Sequence, residues 1–219
     1  MKLSYLTPLI SILTITTYYI VQGCTNDNKV VSTKPKPRST TTVISTTATA
    51  TTITSTANKA TALLPYLRAN GYNTTMCFVI NMKVPSGKKR FFIYNYAQQK
   101  IVSSGLVTHG SGRNKQAFGF SNVNGSLCTA KGRYKIGASY QGTFGLAYKL
   151  YGLDATNNNA FARFVVLHSH ACVPLYNVYP QQICESWGCP TVSPSFLTTL
   201  STIINASAKP IMLVIDFYD

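Results

Sequence analysis

The chain has 219 residues, with 20 basic side chains against 5 acidic ones and a formal charge of +15 at pH 7. Only 11% of residues are charged while 45% are apolar, which excludes a disordered polyelectrolyte and leaves room for one globular domain beside a tail. Only the N-terminus offers a long uncharged apolar run, so a multi-pass membrane protein is excluded as well. The cations are spread, seven in residues 1–73 and thirteen in residues 74–219, with one tight cluster at Lys88, Lys89 and Arg90. No zinc-finger, helix-turn-helix or RNA-recognition pattern accompanies them. The spread points to polyanionic surfaces in general and not to nucleic acid.

Lys2 precedes an uncharged apolar stretch over residues 3–23, the layout of an export signal. It ends in Ile20-Val21-Gln22-Gly23-Cys24, which resembles the lipobox of bacterial lipoproteins. Residues 1–24 are therefore expected to be a lipoprotein-type signal, with Cys24 the lipidated residue and the rest of the chain outside the cytoplasm. Residues 25–57 are rich in Thr, Ser, Ala and Pro, and so few apolar partners interrupt them that a disordered tether is expected.

The domain is expected over residues 58–219. A leading helix over about 57–70 carries Ala60, Leu63, Leu64 and Leu67 on one stripe, with Gly71 as its stop. Apolar runs at 76–82 and 90–96 read as strands joined by a hairpin around Pro85-Ser86-Gly87. Further strands are expected at 101–107, 132–136, 147–150, 164–167 and 211–217. Ser193 caps a helix beginning at Pro194, with Phe196, Leu197, Leu200, Ile203 and Ile204 on its apolar face. The fold class is mainly β: a sandwich or curled mixed sheet with one or two peripheral helices.

The chemistry centres on a cysteine and a histidine. His168 ends the strand Arg163-Phe164-Val165-Val166-Leu167, and Cys189 stands in Ser186-Trp187-Gly188-Cys189-Pro190. A thiol attacks as thiolate, so it needs a nearby imidazole. A returning loop would bring the pair together, Gly188 would permit close backbone approach, and amides around Cys189 would hold an oxyanion.

These motifs resemble the murein L,D-transpeptidase catalytic domain family of the YkuD type, in the branch whose nucleophile motif ends in Gly-Cys-Pro. Val107-Thr108-His109-Gly110, Phe120-Ser121-Asn122, Gly125-Ser126, Gly142, Gly145, Leu150-Tyr151-Gly152-Leu153, residues 157–160 and Arg163 follow that branch in order. The resemblance covers residues 74–217. It departs at Trp187, where relatives have His, at Ser169-His170, where Gly-Ala is usual, and in the cysteine-bearing loop between His168 and Cys189.

The resemblance implies that Cys189 attacks the L,D bond after diaminopimelate in a peptidoglycan stem peptide. His168 would be the base, and the Ser169 carbonyl would orient its ring. The thioester would pass to an amine, cross-linking the wall, or to water, trimming it as a carboxypeptidase does. His109, Trp187, Ser186 and Arg163 are the expected substrate-binding residues. No cofactor and no metal is expected. The partners would be stem peptides and, through a lipid anchor, the membrane of a bacterial envelope.

Cys172 and Cys184 flank the active-site loop, where a disulfide would pin it, and Cys77 with Cys128 would make a second. Sequence leaves the pairing open. Two rival readings use the same residues. One gathers His168, His170, Cys172, Cys184 and Cys189 around a structural zinc. The other is a cationic cell-wall-binding lipoprotein without turnover.

Overall fold

The computed structural model describes residues 43–113 and 119–219, all within one compact unit. The expected signal, Cys24, and residues 25–42 of the expected tether lie outside the described residues. The elements in order are α1 (Val43–Ala69), β1 (Met76–Asn81), β2 (Phe91–Asn95), β3 (Lys100–Gly105), β4 (Gly132–Gly142), β5 (Gly145–Gly152), β6 (Val166–Ser169), β7 (Thr191–Val192), α2 (Pro194–Asn205) and β8 (Met212–Asp216).

The strands form one mixed sheet in the order β3-β2-β1-β8-β4-β5-β6-β7. β1 with β8 and β6 with β7 are parallel, and the other neighbours are antiparallel. Of the two architectures expected, the single curled sheet is the one present.

The unbroken apolar runs of β1 and β8 follow from helices on both faces. Phe78 and Ile80 of β1 with Leu213 and Ile215 of β8 pack in a core with Phe196, Leu197 and Leu200 of α2. Their alternates Cys77, Val79, Met212 and Val214 pack with Ala60, Leu63 and Leu67 of α1. A strand covered on both faces has no polar phase, so its sequence reads as a continuous run.

β6 runs Val166–Ser169 and so contains His168, later than the expected strand 164–167, because the chain is still turning at Phe164 (φ +57°); two other boundaries differ further. α1 begins at Val43, so residues 43–57 are helical, and the expected tether is corrected there. Tertiary contacts extend the helix upstream of its apolar stripe. Thr56 is fully buried and accepts a hydrogen bond from Tyr218 Oη (3.1 Å), while Lys59 pairs with Asp216. Such docking overrides the weak helix propensity of threonine. β4 and β5 form a hairpin longer than expected, closed by the pair Gly142–Gly145, which leaves Thr143 and Phe144 at its tip.

No helix among the described residues is long and apolar enough to cross a membrane.

Candidate active site

β6 and β7 bring the two expected catalytic residues to one place. Their parallel register sets His168 beside Thr191. Cys189 lies two residues before Thr191, on the segment that enters β7. Cys189, His168 and Thr191 line a cavity of about 250 Å³ together with Thr108, Phe144, His170, Cys172, Glu185, Ser186 and Trp187.

The imidazole is held at both nitrogens. His168 Nδ1 lies 3.1 Å from the Ser169 carbonyl, which can only accept, so Nδ1 carries the proton and Nε2 keeps a lone pair. Nε2 lies 3.0 Å from Thr191 Oγ1, whose hydroxyl therefore donates to it. Phe144, from the hairpin tip, stacks on the ring with centroids 5.4 Å apart. Burial, and more weakly the charge of His170, draw the His168 pKa below its usual value, against the Ser169 hydrogen bond.

The thiol looks elsewhere at rest. Cys189 Sγ accepts from the Val166 amide (3.4 Å) and donates to the Phe164 carbonyl (3.7 Å). Burial pushes its pKa up, opposed by the Val166 amide and the charge of Arg163. Both shifts favour a neutral thiol beside a neutral imidazole.

The turn bearing Cys189 is fixed from three sides. Gly188 sits at φ +109°, and a Cβ there would lie 2.7 Å from the Cys128 carbonyl, so only glycine fits. Its amide donates to Ser186 Oγ (3.2 Å), which removes it from the expected oxyanion donors. Ser186 also donates through Oγ to the Cys189 carbonyl (2.7 Å) and through its amide to the His109 carbonyl (2.8 Å). Thr108 Oγ1 adds a donor to the Cys189 carbonyl (3.1 Å). Ser186 thus shapes the turn as well as lining the cavity.

Arg163 is hydrogen-bonded to the neighbouring loop. It donates through Nη1 to the Ser121 carbonyl (2.7 Å), and through Nη2 to the Cys128 carbonyl (2.7 Å) and Ser126 Oγ (3.2 Å). Trp187 lies on the rim, 80% exposed.

Cys172 and Cys184 are joined by a disulfide. Val173 and Ile183 inside that loop pack with Leu106 in a small core of their own, and Ser86 Oγ accepts from the Ile183 amide (3.3 Å). Cys77 and Cys128 are free thiols, which corrects the second expected bridge. Cys77 is buried in the core under α1 and accepts from Tyr96 Oη (3.2 Å); Cys128 lies in the loop that Arg163 pins. The disulfide also removes two of the five donors of the zinc reading. Among the described residues no group of three or more His, Cys, Asp or Glu is placed to hold a metal.

His109 is buried, with Nδ1 3.1 Å from Arg90 Nη2 and Nε2 3.4 Å from Glu185 Oε1. Arg90, grouped by sequence with Lys88 and Lys89, is 1% exposed. It also donates to the Val107 carbonyl through Nε (3.0 Å) and Nη2 (2.9 Å), and to the Val84 carbonyl (3.1 Å).

Residues 49–213 match the model of the L,D-transpeptidase catalytic domain (YkuD_2). The chain belongs to this family.

Comparison with curated proteins finds no significant match. Among solved structures, the helical cell shape determining protein Pgp2 from Campylobacter jejuni is 14% identical with a TM-score of 0.43, the match covering 68% of this chain and 50% of that one. The Ldtfm-avibactam carbamoyl enzyme is 13% identical with a TM-score of 0.40, covering 66% and 50%. The match thus spans about half the length of those structures.

Proposed function

We propose that this L,D-transpeptidase family member acts on peptidoglycan stem peptides through a thioester on Cys189, in the bacterial envelope. The reading is supported by one observation above the rest: a histidine fixed as the Nδ1–H tautomer by Ser169 lines the same cavity as Cys189, the one cysteine among the described residues that lines it outside the disulfide.

In the forward step Cys189 Sγ attacks the carbonyl carbon of the L,D bond, and its proton passes to His168 Nε2. Reaching that nitrogen takes a turn of the Cys189 side chain away from the Phe164 carbonyl and a turn of the Thr191 hydroxyl hydrogen away from Nε2, toward the Cys189 carbonyl at 3.5 Å. The C–N bond then breaks, and the departing amine takes the proton from Nε2. In the second half an amine attacks the thioester, giving a cross-link, or water does so, giving a trimmed stem. His168 takes the nucleophile's proton and returns it to sulfur. The Ser169 carbonyl steadies the imidazolium that forms in each half, as no carboxylate among the described residues contacts that ring.

The address is part of the same proposal. Lys2, the apolar run after it and Cys24 support export and lipid anchoring, with residues 25–42 as the stretch between the anchor and the folded domain.

A second reading, a cationic wall-binding protein without turnover, is favoured by one feature: the resting thiol bonds to Val166 and Phe164. Digesting cell-wall peptides with the wild type and with Cys189→Ala, followed by mass spectrometry, separates the two. Loss of terminal D-alanine, or dimers joined through diaminopimelate, only with the thiol present supports turnover. Binding with no change in products favours the second reading.

A further inference from the structure

Glu185 stands apart from the other described carboxylates. Asp154 pairs with Arg133, Asp216 with Lys59 and Asp219 with Lys83. Glu185 faces only a histidine, and it does so from the wall of the Cys189 cavity.

That histidine is set by what lies behind it. A guanidinium has donors and no acceptor, so Arg90 Nη2–H must point at a lone pair on His109 Nδ1 (3.1 Å). The ring proton is then on Nε2, the nitrogen 3.4 Å from Glu185 Oε1. Burial first, and then the charge of Arg90, keep His109 from taking a second proton, although Glu185 pulls the other way. His109 is thus a neutral donor that orients the carboxylate without neutralising it. Arg90 and His109 are 1% and 7% exposed, and burying an arginine among neutral acceptors alone carries a desolvation penalty. An anionic side chain aimed into a reaction cavity by a buried relay is suited to a cationic ligand group.

We infer that Glu185 is an ammonium subsite: it binds a protonated primary amine of the substrate beside Cys189, with His109 and Arg90 as positioning residues. The inference rests on the proposed reading, in which the diamino acid of the stem peptide carries such an amine. The amine belongs either to the donor stem or to the acceptor stem, and the two place the ammonium at the same carboxylate.

The test separates binding from turnover. In the full chain carrying Cys189→Ala, affinity is measured for a stem tetrapeptide with a free side-chain amine and for the same peptide N-acetylated. The free amine binds about tenfold or more tightly, a ratio typical of one charge-assisted contact. Adding Glu185→Gln, which keeps an acceptor for the His109 N–H and removes only the charge, brings the ratio close to one. An unchanged ratio, or no preference in the first place, overturns the subsite whether or not the enzyme turns over.

Turnover with Cys189 present assigns the source. A donor amine raises KM for the tetrapeptide in Glu185→Gln. An acceptor amine leaves that KM alone and shifts products from cross-link toward hydrolysis. Absence of any product, with the binding ratio still dependent on Glu185, counts against the transpeptidase reading and leaves the subsite supported.

Discussion

Thr191 Oγ1 lies 3.0 Å from His168 Nε2, so the nitrogen that must receive the thiol proton is already hydrogen-bonded by the chain itself. Together with the Ser169 carbonyl at Nδ1, the hydroxyl fixes both the plane and the tautomer of the ring.

Removing that hydroxyl leaves the ring with one polar anchor and a buried lone pair without its partner. Thr191→Val is expected to lower kcat/KM about fivefold, in line with the loss of about 1 kcal/mol of hydrogen bonding. Thr191→Ser keeps the hydroxyl and is expected to restore most of it. Steady-state kinetics of the three proteins checks this, with the pH profile showing whether the apparent pKa of the base moves.

The thiol's titration follows from its surroundings. Burial raises the Cys189 pKa above its ordinary 9.0, so the rate of alkylation by iodoacetamide is expected to climb with pH and show no plateau below about pH 9. Arg163 holds that pKa down, and Arg163→Met is expected to push the climb to higher pH. The same variant strips donors from the Ser121 and Cys128 carbonyls and should destabilise the fold by about 2 kcal/mol, read as a drop in Tm. A plateau near neutrality in the wild type would mean a preformed thiolate.

The disulfide between Cys172 and Cys184 closes a short loop, with a sequence separation of 12, packed on Leu106 through Val173 and Ile183. A loop of this size constrains the unfolded chain by about 3 kcal/mol. The double variant Cys172→Ser with Cys184→Ser is expected to melt earlier and to be cut within residues 173–183 by limited proteolysis. Because Cys172 and Glu185 line the reaction cavity, its activity should fall as well.

Asp154 gives a pH-dependent stability term. Burial pushes its pKa up, but the side-chain and backbone hydrogen bonds and the charge of Arg133 outweigh this and bring it below 3.8. A carboxyl depressed in the folded state stabilises above its unfolded value and loses that contribution as pH falls through the folded one. Asp154→Asn is therefore expected to cost about 1 kcal/mol at pH 5–7. The difference in Tm from the wild type should shrink steadily below about pH 4.

Much of the fold was legible because its signals are local. β1 and β2 announce themselves as apolar runs, since both faces of each are buried, and α2 by Ser193 and Pro194; Ser193 Oγ does accept from the Phe196 amide (3.3 Å). β7 was not legible, because two residues carry no periodicity. Thr191 and Phe144 were missed for the same reason. One reaches His168 through strand register and the other from a hairpin tip, and neither relation is written in sequence spacing. Arg90 belongs in sequence both to the basic cluster and to the apolar run at 90–96, and its burial against Val84, Val107 and His109 depends on contacts that neither pattern carries. The hydrogen bonds of Arg163 to Ser121, Ser126 and Cys128 join loops far apart in the chain, a relation that spacing does not carry.

The central claim is a covalent bond between the stem peptide and one sulfur. The direct measurement is the mass of the intact wild-type protein, quenched in acid after mixing with a stem tetrapeptide, with the modified residue located by fragmentation. The account expects a mass increase equal to the tripeptide acyl group on Cys189, slower to form in His168→Gln and absent in Cys189→Ala. Release of D-alanine by Cys189→Ala at the wild-type rate would contradict it.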